Sequence, residues 1–394
     1  MRRVWSTPGR RTPDACPGAL RVHQATDGGL VRVRVPGGRL PTDHLAALAA
    51  AAADLGDGAL HITSRGNLQI RGIAAGAESG LAARLRVAGL LPSDTHERVR
   101  NIVASTLSGR DGAGMLDVRP LVTALDRGLC ADPGLARLPG RFLFALDDGR
   151  GDVTGLGGDV GLLAVAAGRL ALLLAGVDTC LRVGPDAAAA TALAAARAFL
   201  AERAAQRSQA WRLAELANGA GRVAARLGGA PDALDLPGTP SRPPPVGLVP
   251  QVDGRMAVCV AVPLGRLTVP QASSLCAAAR AGGETYVTPW RTAVVPDLVP
   301  GDAERWLAAL GRDGLVVDAD SPWLGVTACA GRPGCAKALA DVRSDAAAGL
   351  ADGANPAGLP VHWAGCERRC GRPVGRHIEV VATSSGYRVR DTEG

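Results

Sequence analysis

VRVPGGRL at residues 33–40 returns as VAVPLGRL at residues 260–267. In each copy an alternating apolar strand runs into a Pro/Gly turn, and a helical stretch of similar length follows, which is PTDHLAALAAAAADLG in the first. A second strand closes the unit, ALHITSRGNLQIRG at 59–72 in one copy and ETYVTPWRTAVVP at 284–296 in the other. The offset is 227 residues at the first match and 225 at the second, so a strand-helix-strand unit is used twice. Duplication of this kind predicts a pseudo-twofold arrangement, with a ligand where the halves meet.

Within the first copy, LVRVRVP (30–36) places Arg32 and Arg34 on one face. The helix after it has Thr42 or Asp43 as its expected N-cap and Gly56 as its stop. Read as one strand, residues 59–72 put His61, Thr63 and Arg65 on a single face. Asn67, Gln69 and Arg71 continue that face unless Gly66 inserts a bulge. Six polar side chains are too many for a core and too varied for a solvent face, so they predict a ligand floor. The second copy carries Trp290-Arg291-Thr292 in place of Arg65-Gly66-Asn67 and is mostly apolar, which makes the first copy the better floor.

Between the copies, HERVRNIVASTLSG sets Arg100 and Asn101 before an apolar pair, and LPGRFLFALDDGRGD sets Arg141 before an apolar strand. A helix is expected from about Asp117 to Arg127, a β-hairpin over 161–177 turning at Gly168, and one or two long helices over 186–217. The Pro-rich run 231–247 predicts an extended linker. Residues 161–177 are interrupted by Arg169 and too short to span a bilayer.

Four of the nine cysteines fall in two Gly/Pro-bearing pairs, Cys329-AGRPG-Cys335 and Cys366-ERR-Cys370. Four thiolates suit a tetrahedral zinc or a [4Fe-4S] cluster, and the wide five-residue loop suits the cube. Gly331, Gly334 and Gly371 let main-chain amides crowd an anionic centre. Cys16, Cys130, Cys180, Cys259 and Cys276 stand singly in apolar or turn contexts and are expected to bind nothing.

Nine cysteines in 394 residues make no disulfide framework, and the basic opening segment lacks an apolar core, so a reducing cytoplasm is the expected home. The net charge of +7 rests on arginine, with Lys337 the one lysine. Aromatics at 3% argue against nucleic-acid stacking, while arginine forks suit a small polyanion rich in carboxylates.

These motifs together, R-x-R-x-P-G-G, T-x-R-x-x-x-Q, R-N-I, L-P-x-R-F and C-x5-C…C-x3-C, resemble the nitrite/sulfite reductase superfamily over nearly the whole chain. Within it, the opening ACPGALRVHQATDGGLVRVRVPGG is most similar to the oxygen-dependent precorrin-3B synthases of aerobic cobalamin synthesis. The resemblance implies an α+β fold with two ferredoxin-like half-domains (1–90 and 251–318), a mixed-sheet domain (91–222), a linker (223–250) and a second mixed-sheet domain (319–394) carrying a [4Fe-4S] cluster on Cys329, Cys335, Cys366 and Cys370. It implies a tetrapyrrole pocket lined by Arg32, Arg34, His61, Thr63, Arg65, Asn67, Gln69, Arg100, Asn101 and Arg141. Precorrin-3A, dioxygen and a reduced donor, either an NADH-linked reductase or a ferredoxin, are the implied partners, with neither nucleic acid nor membrane. A mononuclear non-haem iron is implied as well, although no 2-His-1-carboxylate spacing marks its ligands and only His61 of the six histidines is expected near the pocket. Sirohaem belongs to the alternative, a nitrite or sulfite reductase. Against that alternative, His61 stands where the reductases carry an arginine, and Arg141 and Leu143 stand where they carry two lysines.

Overall fold

The computed structural model describes residues 14, 16–229, 244–351, 358–373 and 375–392. In chain order the first half-domain contributes β1 (His23–Ala25), β2 (Gly28–Val33), β3 (Arg39–Pro41), α1 (Thr42–Leu55), β4 (Ala59–Ile62), β5 (Leu68–Ile73) and α2 (Glu78–Val87). A mixed-sheet unit follows with β6 (Ile102–Ala104), α3 (Arg119–Ala131), β7 (Phe144–Asp147), β8 (Val160–Ala166), β9 (Arg169–Leu174), β10 (Val177–Val183), α4 (Pro185–Ala205) and α5 (Gly219–Arg226). The second half-domain comprises β11 (Gly247–Pro250), β12 (Met256–Ala261), β13 (Arg266–Thr268), α6 (Val269–Ala278), β14 (Glu284–Val287), β15 (Thr292–Leu298) and α7 (Pro300–Arg312). Last come β16 (Val326–Ala328), α8 (Val342–Ala351), β17 (Val361–Ala364), β18 (His377–Thr383) and β19 (Gly386–Thr392).

The two half-domains exchange strands. One sheet has the order β1-β2-β5-β4-β13 and the other β11-β12-β15-β14-β3, so the short strand before each helix completes the other copy's sheet. Arg266 pairs with His61 on one edge, and Arg39 with Tyr286 on the other. Exchange covers an edge that would otherwise present unpaired amides and carbonyls, and it buries both copies in one core, where Leu45, Ile70 and Leu60 join Leu275, Val260 and Val295. Left-handed backbone recurs at equivalent places: Gly37 and Leu264 (φ 63° and 50°), Gly38 and Gly265 (72° and 70°), Gly66 and Arg291 (64° and 63°). A Cβ on Gly38 would lie 2.0 Å from the Val287 carbonyl oxygen, and one on Gly265 3.1 Å from that of Ile62. Glycine is therefore required where each turn meets the other copy's hairpin.

Residues 59–72 are a hairpin, not one strand. Gly66 takes the left-handed position, and the Thr63 hydroxyl accepts from the amides of Arg65 (3.3 Å) and Asn67 (3.1 Å). Thr288 closes the matching turn by accepting from Trp290 and Thr292. Neither Thr42 nor Asp43 caps α1. Pro41 is its N-cap, and the main-chain amide of Thr42 instead donates to the Gly283 carbonyl, because strand exchange has already fixed the helix start.

The first mixed sheet has the order β10-β9-β8-β7-β6, with β6, β7 and β8 parallel and the expected hairpin of β8 and β9 beside them. Phe142, Phe144 and Phe199 fill its core against α3 and α4. The α3 helix starts later and ends later than read from sequence, and the 186–217 stretch ends its helix at Ala205, then passes through a short 3-10 turn at Leu213–Glu215. The span 223–250 is not all linker: α5 reaches Arg226, and β11 already belongs to the second half-domain's sheet. Residues 230–243, which hold most of the Pro-rich run, lie outside the described residues. The second mixed sheet, β16-β17-β18-β19, likewise has three parallel strands with an antiparallel strand at one edge, one fewer than the first sheet. Among the described residues no helix is long and apolar enough to cross a membrane.

Arg110 joins the first mixed-sheet unit to the second half-domain. Only 4% exposed, its guanidinium donates to Glu284 Oε1 at 2.6 Å, Asp297 Oδ2 at 2.9 Å and the Tyr286 hydroxyl at 3.2 Å. Arg110→Ala removes a buried cation from between Glu284, which keeps Arg39, and Asp297, which keeps Gln251, and is expected to cost about 2–3 kcal/mol of stability in chemical denaturation. A loss below about 1 kcal/mol, the range of an exposed pair, would contradict that role.

Candidate functional site

Sheet register assembles a cationic floor in the first half-domain. Arg32 is opposite Gln69, Gln69 opposite His61, and His61 opposite Arg266, so four polar residues form one row across four strands. With its amide oxygen turned to Arg32, Gln69 accepts from Nε (3.0 Å) and Nη2 (2.5 Å). Arg34, two residues on and 3% exposed, donates from Nε to the Arg98 carbonyl at 3.0 Å. Arg65 projects from the tip of the hairpin, and the exposed Arg141 lies over the Trp211 ring, 6.0 Å from its centroid.

None of Arg32, Arg34, Arg65 or Arg141 is ion-paired among the described residues. Burial pushes the Arg34 guanidinium down to about 9, helped by the charge of Arg32. Burial likewise takes Arg65 to about 10, with Arg212 and Arg141 adding repulsion. Glu97 and Asp159 offset only part of this, so desolvated like charges with no direct ion pair make a place where an anion is favoured.

Several residues expected at the floor have other work. Arg100 is held bidentately by Asp126 at 2.7 and 2.6 Å, so its charge is already met. Asn67 donates to Asn101, and Asn101 donates to the Gly140 carbonyl at 2.7 Å, a chain that positions the loop before Arg141. The Thr63 hydroxyl serves its turn. His61 Nδ1 accepts from Arg343 Nη1 at 3.1 Å and Nε2–H donates to Asp57 at 2.8 Å, which fixes a neutral ring whose basicity burial lowers further. It thereby ties the floor to α8. Arg71 pairs with Asp27 and also donates to the carbonyl of Gly334, next to Cys335, so the first half-domain holds the first cysteine loop.

Cys16 belongs to the floor although the sequence sets it aside. The chain folds back so that Arg32 N donates to the Gly18 carbonyl at 3.3 Å, which brings Cys16 beside Arg32 and Arg34. Burial, then Asp14, pushes its thiol up. No spacing rule connects residue 16 to residue 32; the D-x-C-P-G run before the strand is the only local signal.

The four paired cysteines follow the C-terminal ends of two neighbouring parallel strands. Cys329 comes directly after β16 and Cys366 two residues after β17, with Cys329 N donating to the Trp363 carbonyl at 2.9 Å. The Gly365 amide donates to Cys329 Sγ at 3.1 Å. Burial pushes the Cys370 thiol up, and Cys329, Cys366 and Cys335 are near enough to add to the effect. Among the described residues no three His, Cys, Asp or Glu side chains converge on a single ion. Four thiols in one neighbourhood, spaced wider than one ion and already receiving a main-chain N–H, fit a cube of iron and sulfide better than one zinc. Arg291 overlooks the second pair: a Cβ on Gly371 would lie 3.7 Å from its Nη2.

The nitrite/sulfite reductase ferredoxin-like half domain matches residues 23–88 and again 249–312. The Mycobacterium tuberculosis NirA protein shares the fold, with a TM-score of 0.75 at 20% identity over 92% of this chain and 73% of that one. The chain therefore has the duplicated nitrite/sulfite reductase architecture. A precorrin-3B synthase from Sinorhizobium sp is 26% identical over 384 residues, 95% of this chain and 81% of that protein, so the likeness read in the sequence extends along nearly the whole length. A ferredoxin–nitrite reductase from Synechococcus elongatus is 35% identical over a shorter stretch, 31% of this chain and 25% of its own. These relatives are enzymes, and the chain is read as an enzyme on that likeness.

Proposed function

We propose that the chain is a monooxygenase of the precorrin-3B synthase kind, which binds precorrin-3A, hydroxylates its ring with dioxygen and closes a γ-lactone from an acetate arm. The observation that carries the reading is a set of arginines with no ion pair among the described residues, the desolvated Arg32, Arg34 and Arg65 with the exposed Arg141 beside them. A macrocycle with acetate and propionate arms supplies the carboxylates this floor lacks, and guanidinium forks fix their geometry. Cys329, Cys335, Cys366 and Cys370 would hold a [4Fe-4S] cluster, which supplies electrons from a reduced donor, either an NADH-linked reductase or a ferredoxin. In this reading the protein's own residues orient the substrate: Gln69 sets the Arg32 fork, the Asn67–Asn101–Gly140 chain sets Arg141, and Arg71 holds the cluster loop against the floor.

Two measurements test it. Given reductant, precorrin-3A and isotopically labelled dioxygen, the protein is expected to place one labelled oxygen atom in the tetrapyrrole, read by mass spectrometry. Arg65→Ala removes one fork from a partly desolvated carboxylate and is expected to weaken precorrin-3A binding by about 2 kcal/mol, roughly thirtyfold. Unchanged affinity in a folded Arg65→Ala protein would remove Arg65 from the pocket.

A further inference from the structure

Two arginines beside the cysteine loops have no ion pair among the described residues, and none of the roles given above uses their charge. Arg343, on α8, donates from Nε to the Cys329 carbonyl at 3.4 Å and from Nη1 to His61 Nδ1 at 3.1 Å. Arg291 comes from the other side. It sits at the tip of the β14–β15 hairpin with its stem against the Gly265 turn, and its Nη2 would lie 3.7 Å from a Cβ on Gly371. One cation thus stands on the loop of the first cysteine pair and the other on the loop of the second.

Holding them there is unfavourable in the backbone and in the charge. Gly66, at the matching place in the first copy's hairpin, takes φ 64° as a glycine, whereas Arg291 takes φ 63° with a side chain, a left-handed conformation that strains any residue with a Cβ. A glycine would close that turn more easily. Burial pushes the Arg291 guanidinium down to about 10, and the charge of Arg343 adds to the fall. Arg343 is lowered in the same way by burial, then by Arg71 and Arg266, and Asp57 and Cys329 offset only part of this. A neutral ring at position 61 lets Arg343 stand so close, because its Nδ1 accepts from the guanidinium, whereas an arginine there would add one more cation to Arg71 and Arg266. Like charges packed together out of water, with no direct ion pair, favour an anion beside them.

We propose that Arg291 and Arg343 tune the [4Fe-4S] cluster of the two cysteine pairs, raising its reduction potential so that the donor can reduce it. The proposal rests on the cluster reading of the four thiols. A cube bound by four thiolates is an anion, and taking up one electron makes it more negative, so a nearby cation stabilises the reduced form more than the oxidised one. Desolvation strengthens that effect. Arg71, which also reaches the first loop, contributes less, because Asp27 already meets its charge at 2.9 and 3.0 Å.

The test is a potentiometric titration of the full chain, reconstituted anaerobically with iron and sulfide, free of tetrapyrrole, and read by the paramagnetic signal of the reduced cluster. Arg343→Gln and Arg291→Gln are each expected to lower the equilibrium constant for one-electron reduction about tenfold, a fall of about 59 mV in midpoint, and the double variant to fall further than either. Arg343→Lys and Arg291→Lys keep the charge and lose the fork, and are expected to stay near the wild-type potential. Equal iron and sulfide content in every variant separates a changed potential from a damaged site. A midpoint that moves in neither glutamine variant overturns the assignment. So do lysine variants that fall as far as the glutamine ones, because packing and not charge would then set the potential. Unmoved midpoints with weakened precorrin-3A binding would give the two arginines to the substrate instead. Wild-type protein that assembles no cluster removes the cluster reading, and this inference with it.

Discussion

Cys366→Ser is expected to abolish the paramagnetic signal of the reduced protein, and serine at Cys329, Cys335 or Cys370 to do the same. Each iron of a cube takes one outer ligand, and a serine hydroxyl at neutral pH is a poor replacement for a thiolate. The geometry sharpens the expectation. Gly365 N already donates to Cys329 Sγ, and Arg71 holds the first loop through Gly334, so the thiols are fixed from both sides before any metal arrives. Cys259 is the control: fully buried in an apolar group with Tyr286 and Val294, its thiol pushed up to about 12, it should tolerate serine with the cluster intact. Full cluster occupancy in Cys366→Ser, or loss of the cluster in Cys259→Ser, would show that a different set of thiols is involved.

Sulfite and nitrite are expected to bind at least a hundredfold more weakly here than in a pocket with its full set of cations, and to show little turnover with a strong artificial reductant. Two charge-assisted contacts are missing, each worth about 1.5–3 kcal/mol. Leu143 is buried against Val103, Ala145, Val153 and Trp290, so no cation can be offered from that position. His61 is a neutral ring already shared between Asp57 and Arg343, which removes it from contact with a small anion. Under the proposed function a large acidic tetrapyrrole would lose little by comparison, because Arg32, Arg34, Arg65 and Arg141 would still meet its arms. Vigorous reduction of either oxyanion by sirohaem-loaded protein, with no labelled oxygen in the tetrapyrrole, would overturn the proposed function in favour of a reductase.

Residue order carried the parts of this protein that depend on local chemistry. The repeat of VRVPGGRL as VAVPLGRL declared the duplication, because a turn that presses main chain against main chain needs the same glycine in both copies, Gly38 and Gly265. The cysteine pairs were legible for a similar reason, since loops of fixed length at strand ends bring thiols together with little help from the rest of the chain. Arg32, Arg34 and Gln69 were legible from alternation alone, for a strand sends every second residue to one face.

Pairing between distant segments settled what order could not. Taken as one strand, residues 59–72 gave six equivalent ligands; folded at Gly66 they divide, with Gln69 and His61 in one row, Thr63 and Asn67 in the turn, and Arg71 under the cysteine loop. Arg100 and Arg65 look alike in sequence, yet only the tertiary fold places Asp126 against the first and, among the described residues, gives the second no ion pair, the nearby Asp159 being held by Arg212. Strand exchange is equally invisible beforehand, because the partner of β3 lies 245 residues away at Glu284.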